Sequence, residues 1–333
     1  MTTCLYKLQA TFSFIIVFFC ALGLSSGKPL FQSTISPLGI KDDVHAFQEG
    51  VYVYTSLVEW KTDLLIDTKK LGNHSETDVT LNFLAKSAYN EYQLHLGRAG
   101  RPDHQDRFCA SSEFRATVIT ILAVQNSASS TETPKTVLFI SSSAKGNRLF
   151  YSTRDMSPPD LTLDAEIRSC GAEHRNNAAC GEINAILLYF NWASHQNMSI
   201  EQKKRHLRGS KAITWGRPPV RLDKWTQAAQ TRFDDLPNGE YKSACSANPD
   251  PGKTQFFGCN AVLHRFGIKE VPKILESDWG QTLFQEGDIV TKHNVSVLPS
   301  NYTRSNLDDN QRVRRGLSAQ LAQDRSRATE LLP

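Results

Sequence analysis

The sequence predicts an α/β fold, and three stretches carry that prediction. ATVITILAVQ (116–125) and TVLFISSS (136–143) are short runs of β-branched and apolar residues, joined by the polar, Pro-bearing link NSASSTETPK, as in a hairpin with a longer loop. Val79, Leu81, Phe83, Leu84, Ala88, Tyr89, Tyr92 and Leu96 recur at helical spacing upstream of them. A second helical pattern opens at Cys180, with Ile183, Ile186, Leu187 and Phe190 at i, i+3, i+4 and i+7. Helices that flank β-branched strands in this way are the pattern of an α/β domain.

Each element follows in chain order. Residues 1–27 have the order of a cleavable signal peptide: Lys7 near the start, the apolar run TFSFIIVFFCALGL, then Ser25, Ser26 and Gly27. The run from Phe12 to Leu24 is shorter than the ~20 residues a bilayer-spanning helix needs. No later segment is apolar for long enough either, so the expected product is secreted, with no membrane segment after cleavage. In 46–70, Phe47, Val51, Val53, Leu57, Trp60, Leu64 and Leu65 read as one or two helices, so 28–75 is expected to be a helical N-terminal extension. Ser75-Glu76-Thr77-Asp78 fits a capping box in front of the long helix, which Gly97 and Gly100 close.

Residues 151–179 read as loop, with Pro158-Pro159 and the polar stretch GAEHRNNAA. After the helix at Cys180, KAITWG (211–216) is a strand candidate. Residues 217–258 are polar and punctuated by Gly and Pro, with a short helix expected near Trp225–Phe233. A last helix opens at Cys259, buries Val262, Leu263 and Phe266 on one face and ends at Gly267, before the short element IKEV. The α/β domain is thus expected to span 76–299, and 300–333 to be a disordered tail. Within that tail, Arg312-Val313-Arg314-Arg315 reads either as a dibasic processing site or as a solvated basic run.

Composition narrows the function. The 333 residues carry a net charge of only +4, and no Lys/Arg stripe is interleaved with aromatics, so composition makes no case for nucleic-acid binding. No Gly-x-Ser-x-Gly elbow, His-Glu-x-x-His helix or phosphate loop is present. Sequons at Asn73, Asn197, Asn294 and Asn301 are candidate glycosylation sites. Of the seven cysteines, Cys4 and Cys20 leave with the leader; Cys109, Cys170, Cys180, Cys245 and Cys259 remain. An odd number of cysteines cannot all pair within one secreted chain.

The chemistry concentrates at two helix starts. Cys180-Gly181-Glu182 opens one, and Cys259 opens the next, with Cys245 upstream. A helix N-terminus favours a thiolate, and three thiolates suit zinc while leaving its fourth position for water. Glu182, two residues after Cys180, is placed to reach such a water as a proton shuttle without binding metal. It reads equally as an acid that the helix dipole favours in a first turn. His174 reads as a solvated loop histidine, with metal ligation as its alternative. Asn147, in Lys145-Gly146-Asn147, reads as a turn residue. Trp215-Gly216 reads as core packing.

With these residues the chain resembles the zinc-dependent cytidine deaminase-like superfamily. AACGEINAI looks like that family's Cys-x-Glu motif opening one helix, and GCNAVLHRFGI like the end of its Cys-x-x-Cys motif opening the next. The order helix, strand, strand, helix, strand, helix over about 80–275 matches as well. The resemblance implies a three-layer α/β/α domain with a mixed central sheet, and Cys180, Cys245 and Cys259 as zinc ligands. It also implies Glu182 as the group that moves protons while water replaces ammonia on a nucleobase. The substrate would be a nucleobase-containing small molecule or a nucleic acid. One departure stands out: the family's paired cysteines lie three positions apart, whereas SANPDPGKTQFFG separates Cys245 from Cys259. Cys245 is then a ligand only if that segment folds back.

Three zinc ligands and a Cys109–Cys170 disulfide account for all five cysteines; so do two disulfides, one of them Cys245–Cys259, and a free thiol. The second arrangement would make the chain a non-enzymatic secreted effector or binding protein with disulfides in place of metal.

Overall fold

The computed structural model describes residues 38–61, 64–65, 70–99, 116–126, 135–146, 151, 158–171, 173–217, 239–247, 256–279, 289–292 and 295–302. Its elements are β1 (Lys41–Asp42), α1 (Val44–Gln48), β2 (Tyr54–Trp60), α2 (Glu76–Ala99), β3 (Val118–Asn126), β4 (Lys135–Ser142), α3 (Leu161–Arg168), α4 (Gly181–His195), α5 (Ile200–Leu207), β5 (Lys211–Gly216), β6 (Glu240–Lys242), α6 (Cys259–Phe266), β7 (Lys269–Glu270) and β8 (Ile289–Lys292). The main sheet runs β1-β2-β4-β3-β5-β6, with β8 against β2 and β7 against β5. It is mixed: β7 lies parallel to β5, and the other neighbours are antiparallel.

Strand alternation sorts the side chains of β3 and β4 into two buried clusters. Leu122, Val124, Val137 and Phe139 join one that holds Ile183, Ile186, Leu187 and Phe190 of α4 and Val262, Leu263 and Phe266 of α6. Ile119, Ile121, Ala123, Leu138 and Ile140 join the other, with Val79, Leu81, Leu84, Ala88 and Tyr92 of α2. The unbroken apolar runs Ile121–Val124 and Val137–Ile140, rather than apolar residues at every second position, follow from burial on both faces. Ser75 caps α2 as the sequence predicts, its hydroxyl accepting from the Asp78 amide at 3.3 Å. Gly267, with φ of 69°, ends α6 in the left-handed conformation.

The expected helical extension is corrected. Residues 54–60 form β2, paired with β4 over Thr55↔Ser141 to Trp60↔Thr136, so this segment belongs to the sheet. Tyr54, Val58 and Trp60 enter one cluster, and Val53 and Leu57 the other. Burial on both faces removed the clean alternation, and the leftover spacing mimicked a helix. Among the described residues of that stretch only Val44–Gln48 is helical, with the buried Asp43 side chain accepting from the Ala46 amide.

The stretch 151–179 is likewise not all loop: Asp160 caps α3 by accepting from the Leu163 amide at 2.7 Å, and Leu163 and Ile167 are buried. The segments expected to be a leader, a helix near Trp225–Phe233 and, past Tyr302, a tail lie outside the described residues. No helix among the described residues is long and apolar enough to cross a membrane.

Candidate metal centre and cleft

Cys180 is the N-cap of α4, in extended conformation, and makes no capping hydrogen bond with its side chain. Its sulfur is therefore free to face the neighbouring loops. The helix must start close against the sheet, and Gly181 permits that: a Cβ there would lie 2.5 Å from Thr120 Oγ1 and 3.3 Å from the Ser141 carbonyl. This approach brings Glu182 onto β3 and β5. Its carboxyl is buried and accepts from Thr214 Oγ1 at 2.9 Å. Thr120 sits opposite Thr214 in the register and donates to the same hydroxyl at 2.8 Å. The relay Thr120 to Thr214 to Glu182 fixes one carboxylate oxygen, Oε1.

Cys245 and Cys259 meet through a close backbone approach. A Cβ at Gly258 would lie 1.9 Å from the Cys245 carbonyl oxygen, so only glycine fits. The Cys245 carbonyl accepts from the Asn260 amide at 3.2 Å, and its sulfur from the Cys259 amide at 3.1 Å. Cys245 thus satisfies two of the free amides at the start of α6. The intervening segment returns as Phe256–Phe257, paired parallel with Glu173–His174. That ribbon buries His174 completely and sets its ring edge-on to Phe257 at 5.2 Å.

The sulfurs of Cys180, Cys245 and Cys259 and a ring nitrogen of His174 lie within 4.8 Å of one another. This cluster could bind a metal. The Cys180 and Cys245 sulfurs are 3.9 Å apart. Two thiolates at ~2.3 Å from a tetrahedral zinc lie about 3.8 Å apart, so the spacing fits coordination. A disulfide needs about 2.05 Å. Each sulfur also has a nitrogen partner: Cys180 accepts from the Asn176 side-chain amide at 3.2 Å, Cys245 accepts from the Cys259 backbone amide, and Cys259 lies 3.3 Å from His174 Nε2.

Electrostatics favour a cation here. Hydrogen bonds from Cys180 and Cys259 hold the Cys245 thiol far below its ordinary range. Sharing its hydrogen with Cys245 pushes Cys180 up, and burial pushes Cys259 well up. Alone, the cluster therefore favours ionisation of Cys245 over that of Cys180 and Cys259. Three thiolates about 4 Å apart would repel by roughly 4 kcal/mol per pair at an effective dielectric of 20, so full ionisation calls for a metal ion. Burial also raises the Glu182 pKa, against the opposing hydrogen bonds from Thr214 and Cys259.

The cluster forms part of a polar cleft of about 690 Å³. Cys180, Cys245, Glu182 and Thr214 border it, and Lys145, Arg175 and Lys242 bring positive charge to it. The structure thus unites Cys180, Cys245, Cys259 and Glu182, which the sequence singled out.

It corrects His174, which is buried in the cluster rather than solvated. Nothing in GAEHRNNAA signals that burial, because the covering side chain, Phe257, comes from the segment between the two later cysteines. Trp215 is core, in the cluster on the other face of the sheet and edge-on to Trp279 at 6.1 Å. The Cys170 thiol donates to the Glu166 carbonyl at 3.4 Å, and its candidate disulfide partner Cys109 lies outside the described residues, as do Asn147, Asn294 and Arg312–Arg315. Asn73, Asn197 and Asn301 are exposed. No protein-family model, no curated protein and no solved structure matches this chain.

Proposed function

We propose that the chain is a secreted zinc-dependent deaminase of a nucleobase-containing substrate, with Cys180, Cys245 and Cys259 holding the zinc and Glu182 moving protons. The observation that carries this is the convergence of three thiols, two of them at helix starts, beside a buried carboxyl that is not part of the cluster. The donor set suits zinc: soft sulfurs, each with a nitrogen partner. The order of strands around β3, with a helix-rich cluster on each face, supports a three-layer deaminase-like domain.

Zinc, when bound, supplies a Lewis acid that lowers the pKa of a water toward about 7. The chain supplies the proton path. The Thr214 hydroxyl holds Glu182 Oε1, and the carboxylate so oriented accepts a proton from the attacking water. The same carboxylate returns that proton to the departing amine, so that water adds, the C–N bond breaks and ammonia leaves. Burial serves this role, because a raised carboxyl pKa makes Glu182 a better base and holds the proton until the amine takes it.

The test is metal content with activity. Purified protein should hold one zinc per chain and keep the thiols of Cys180, Cys245 and Cys259 unoxidised. Glu182→Ala should keep the zinc and lose deamination of cytidine- or adenosine-type substrates. Metal-free protein with a disulfide among these three cysteines would overturn the proposal. It would favour the second reading, a non-enzymatic effector or binding protein with disulfides in place of metal.

A further inference from the structure

Four side chains of ligand type meet in the cluster, and four would close a tetrahedral zinc and leave no place for water. The surroundings of His174 decide otherwise. Its Nδ1 accepts two backbone hydrogen bonds, from the amides of Asn176 and Ala178, each at 3.1 Å. A ring nitrogen that accepts N–H carries no proton, so the neutral ring keeps its hydrogen on Nε2. That N–H points at Cys259 Sγ, 3.3 Å away.

A histidine bound to metal through Nε2 needs the reverse: a protonated Nδ1 facing a carboxylate, carbonyl or water. Here Nδ1 faces two donors. The turn holding them is built for it, since Asn177 and Ala178 both have positive φ, 49° and 55°, a conformation that costs non-glycine residues about 1–3 kcal/mol each.

We infer that His174 is a positioning residue that donates Nε2–H to the Cys259 thiolate and is not the fourth ligand. The inference rests on the zinc reading above. It completes a pattern in which each of three sulfurs has one N–H donor: a side-chain amide on Cys180, a backbone amide on Cys245 and an imidazole on Cys259. Such bonds draw charge from the thiolates and leave the metal more electrophilic than three bare sulfurs would. Of the four residues, Cys180 and Cys245 border the cleft, whereas His174 and Cys259 lie behind them. The site so arranged stays open to a small molecule.

X-ray absorption on the zinc-loaded wild-type chain tests this without a variant. The expected result is three sulfurs at ~2.3 Å and one light atom at ~2.0 Å, with no imidazole multiple scattering. Nitrogen NMR of His174 in the same sample should show a protonated Nε2 and a bare Nδ1. His174→Gln, which retains an N–H donor for Cys259, should still hold one zinc per chain, with affinity reduced by about 10–100-fold. Imidazole scattering in the wild type, or zinc stoichiometry lost in His174→Gln, overturns the inference while zinc binding itself stands. A wild-type chain that takes up no zinc overturns both.

Discussion

The backbone amide of Cys259 donates to Cys245 Sγ at 3.1 Å, although 14 positions separate the two residues in sequence. This contact brings together in space two cysteines that a long segment separates in the chain. It depends on Gly258, whose α-carbon passes so near the Cys245 carbonyl that any side chain would overlap it. Gly258→Ala should therefore push Cys245 away from the start of α6. The expected outcome is a destabilisation of about 1–3 kcal/mol from overpacking, with zinc affinity falling more than stability. Chemical denaturation and a competitive zinc titration on the same variant check the two effects separately.

Glu182 gives a stability prediction with a definite sign. Burial raises its pKa above the ordinary 4.5. Between 4.5 and the raised value the folded chain keeps a proton that the unfolded chain has released. The native state binds more protons there, so stability falls as pH rises through that window and stays low above it. In metal-free protein Glu182→Gln should remove this loss. The variant and wild type should be alike below pH 4.5, and the variant should melt at a higher temperature at pH 7. Equal melting temperatures at pH 7 would show that the buried carboxyl costs the fold nothing.

The fold and the site were legible in the sequence to different degrees, for physical reasons. The long helix, the hairpin strands, the strand at Lys211 and both cysteine-bearing helix starts were readable because apolar runs and apolar periods are local signals, although the long helix continues through Gly97 to Ala99 rather than closing there. β2 was misread because burial on both faces erases the period-2 signal on which strand assignment rests. Cys180, Cys259 and Glu182 were readable because a helix start ties their chemistry to a local pattern. His174 was not, since its burial depends on pairing with Phe256–Phe257, a contact between distant segments. Its Nδ1–amide bonds depend on positive φ at Asn177 and Ala178, and nothing in an Asn-Ala pair announces that at Ala178.

The cleft carries a charge prediction. Lys145, Arg175 and Lys242 line it, and among its described residues Glu182 is the one acid. Lys242 is ion-paired with Glu240, which offsets its charge. Cations along a cleft raise the encounter rate and affinity for anionic groups that reach them, and the gain is screened by salt. Phosphate-bearing substrates should therefore show KM rising with ionic strength, and their uncharged nucleoside counterparts should not. Arg175→Ala should raise KM for the phosphorylated substrate several-fold at low salt with kcat little changed. Kinetics of the two substrate forms at 20 and 300 mM salt would check this.

Thr214 offers the sharpest test of the proton path. Its hydroxyl donates to Glu182 Oε1 at 2.9 Å and lowers the carboxyl pKa against the rise from burial. Thr214→Val keeps the shape and the branched strand residue but removes the donor, and it leaves the Thr120 hydroxyl without its acceptor. Loss of a hydrogen bond to the charged form makes Glu182 harder to ionise, so its pKa rises further. Glu182 must be ionised to accept the proton of water. The acidic limb of kcat/KM should then move to higher pH in the variant, and the pH-independent rate should fall because the carboxylate is no longer held through Oε1. Stability should drop by only about 1–2 kcal/mol, the cost of one unsatisfied buried hydroxyl. A pH–rate profile of wild type and Thr214→Val, with zinc content measured in each, separates the outcomes. An acidic limb that does not move, at equal zinc occupancy, would remove Glu182 from the rate-limiting proton transfer.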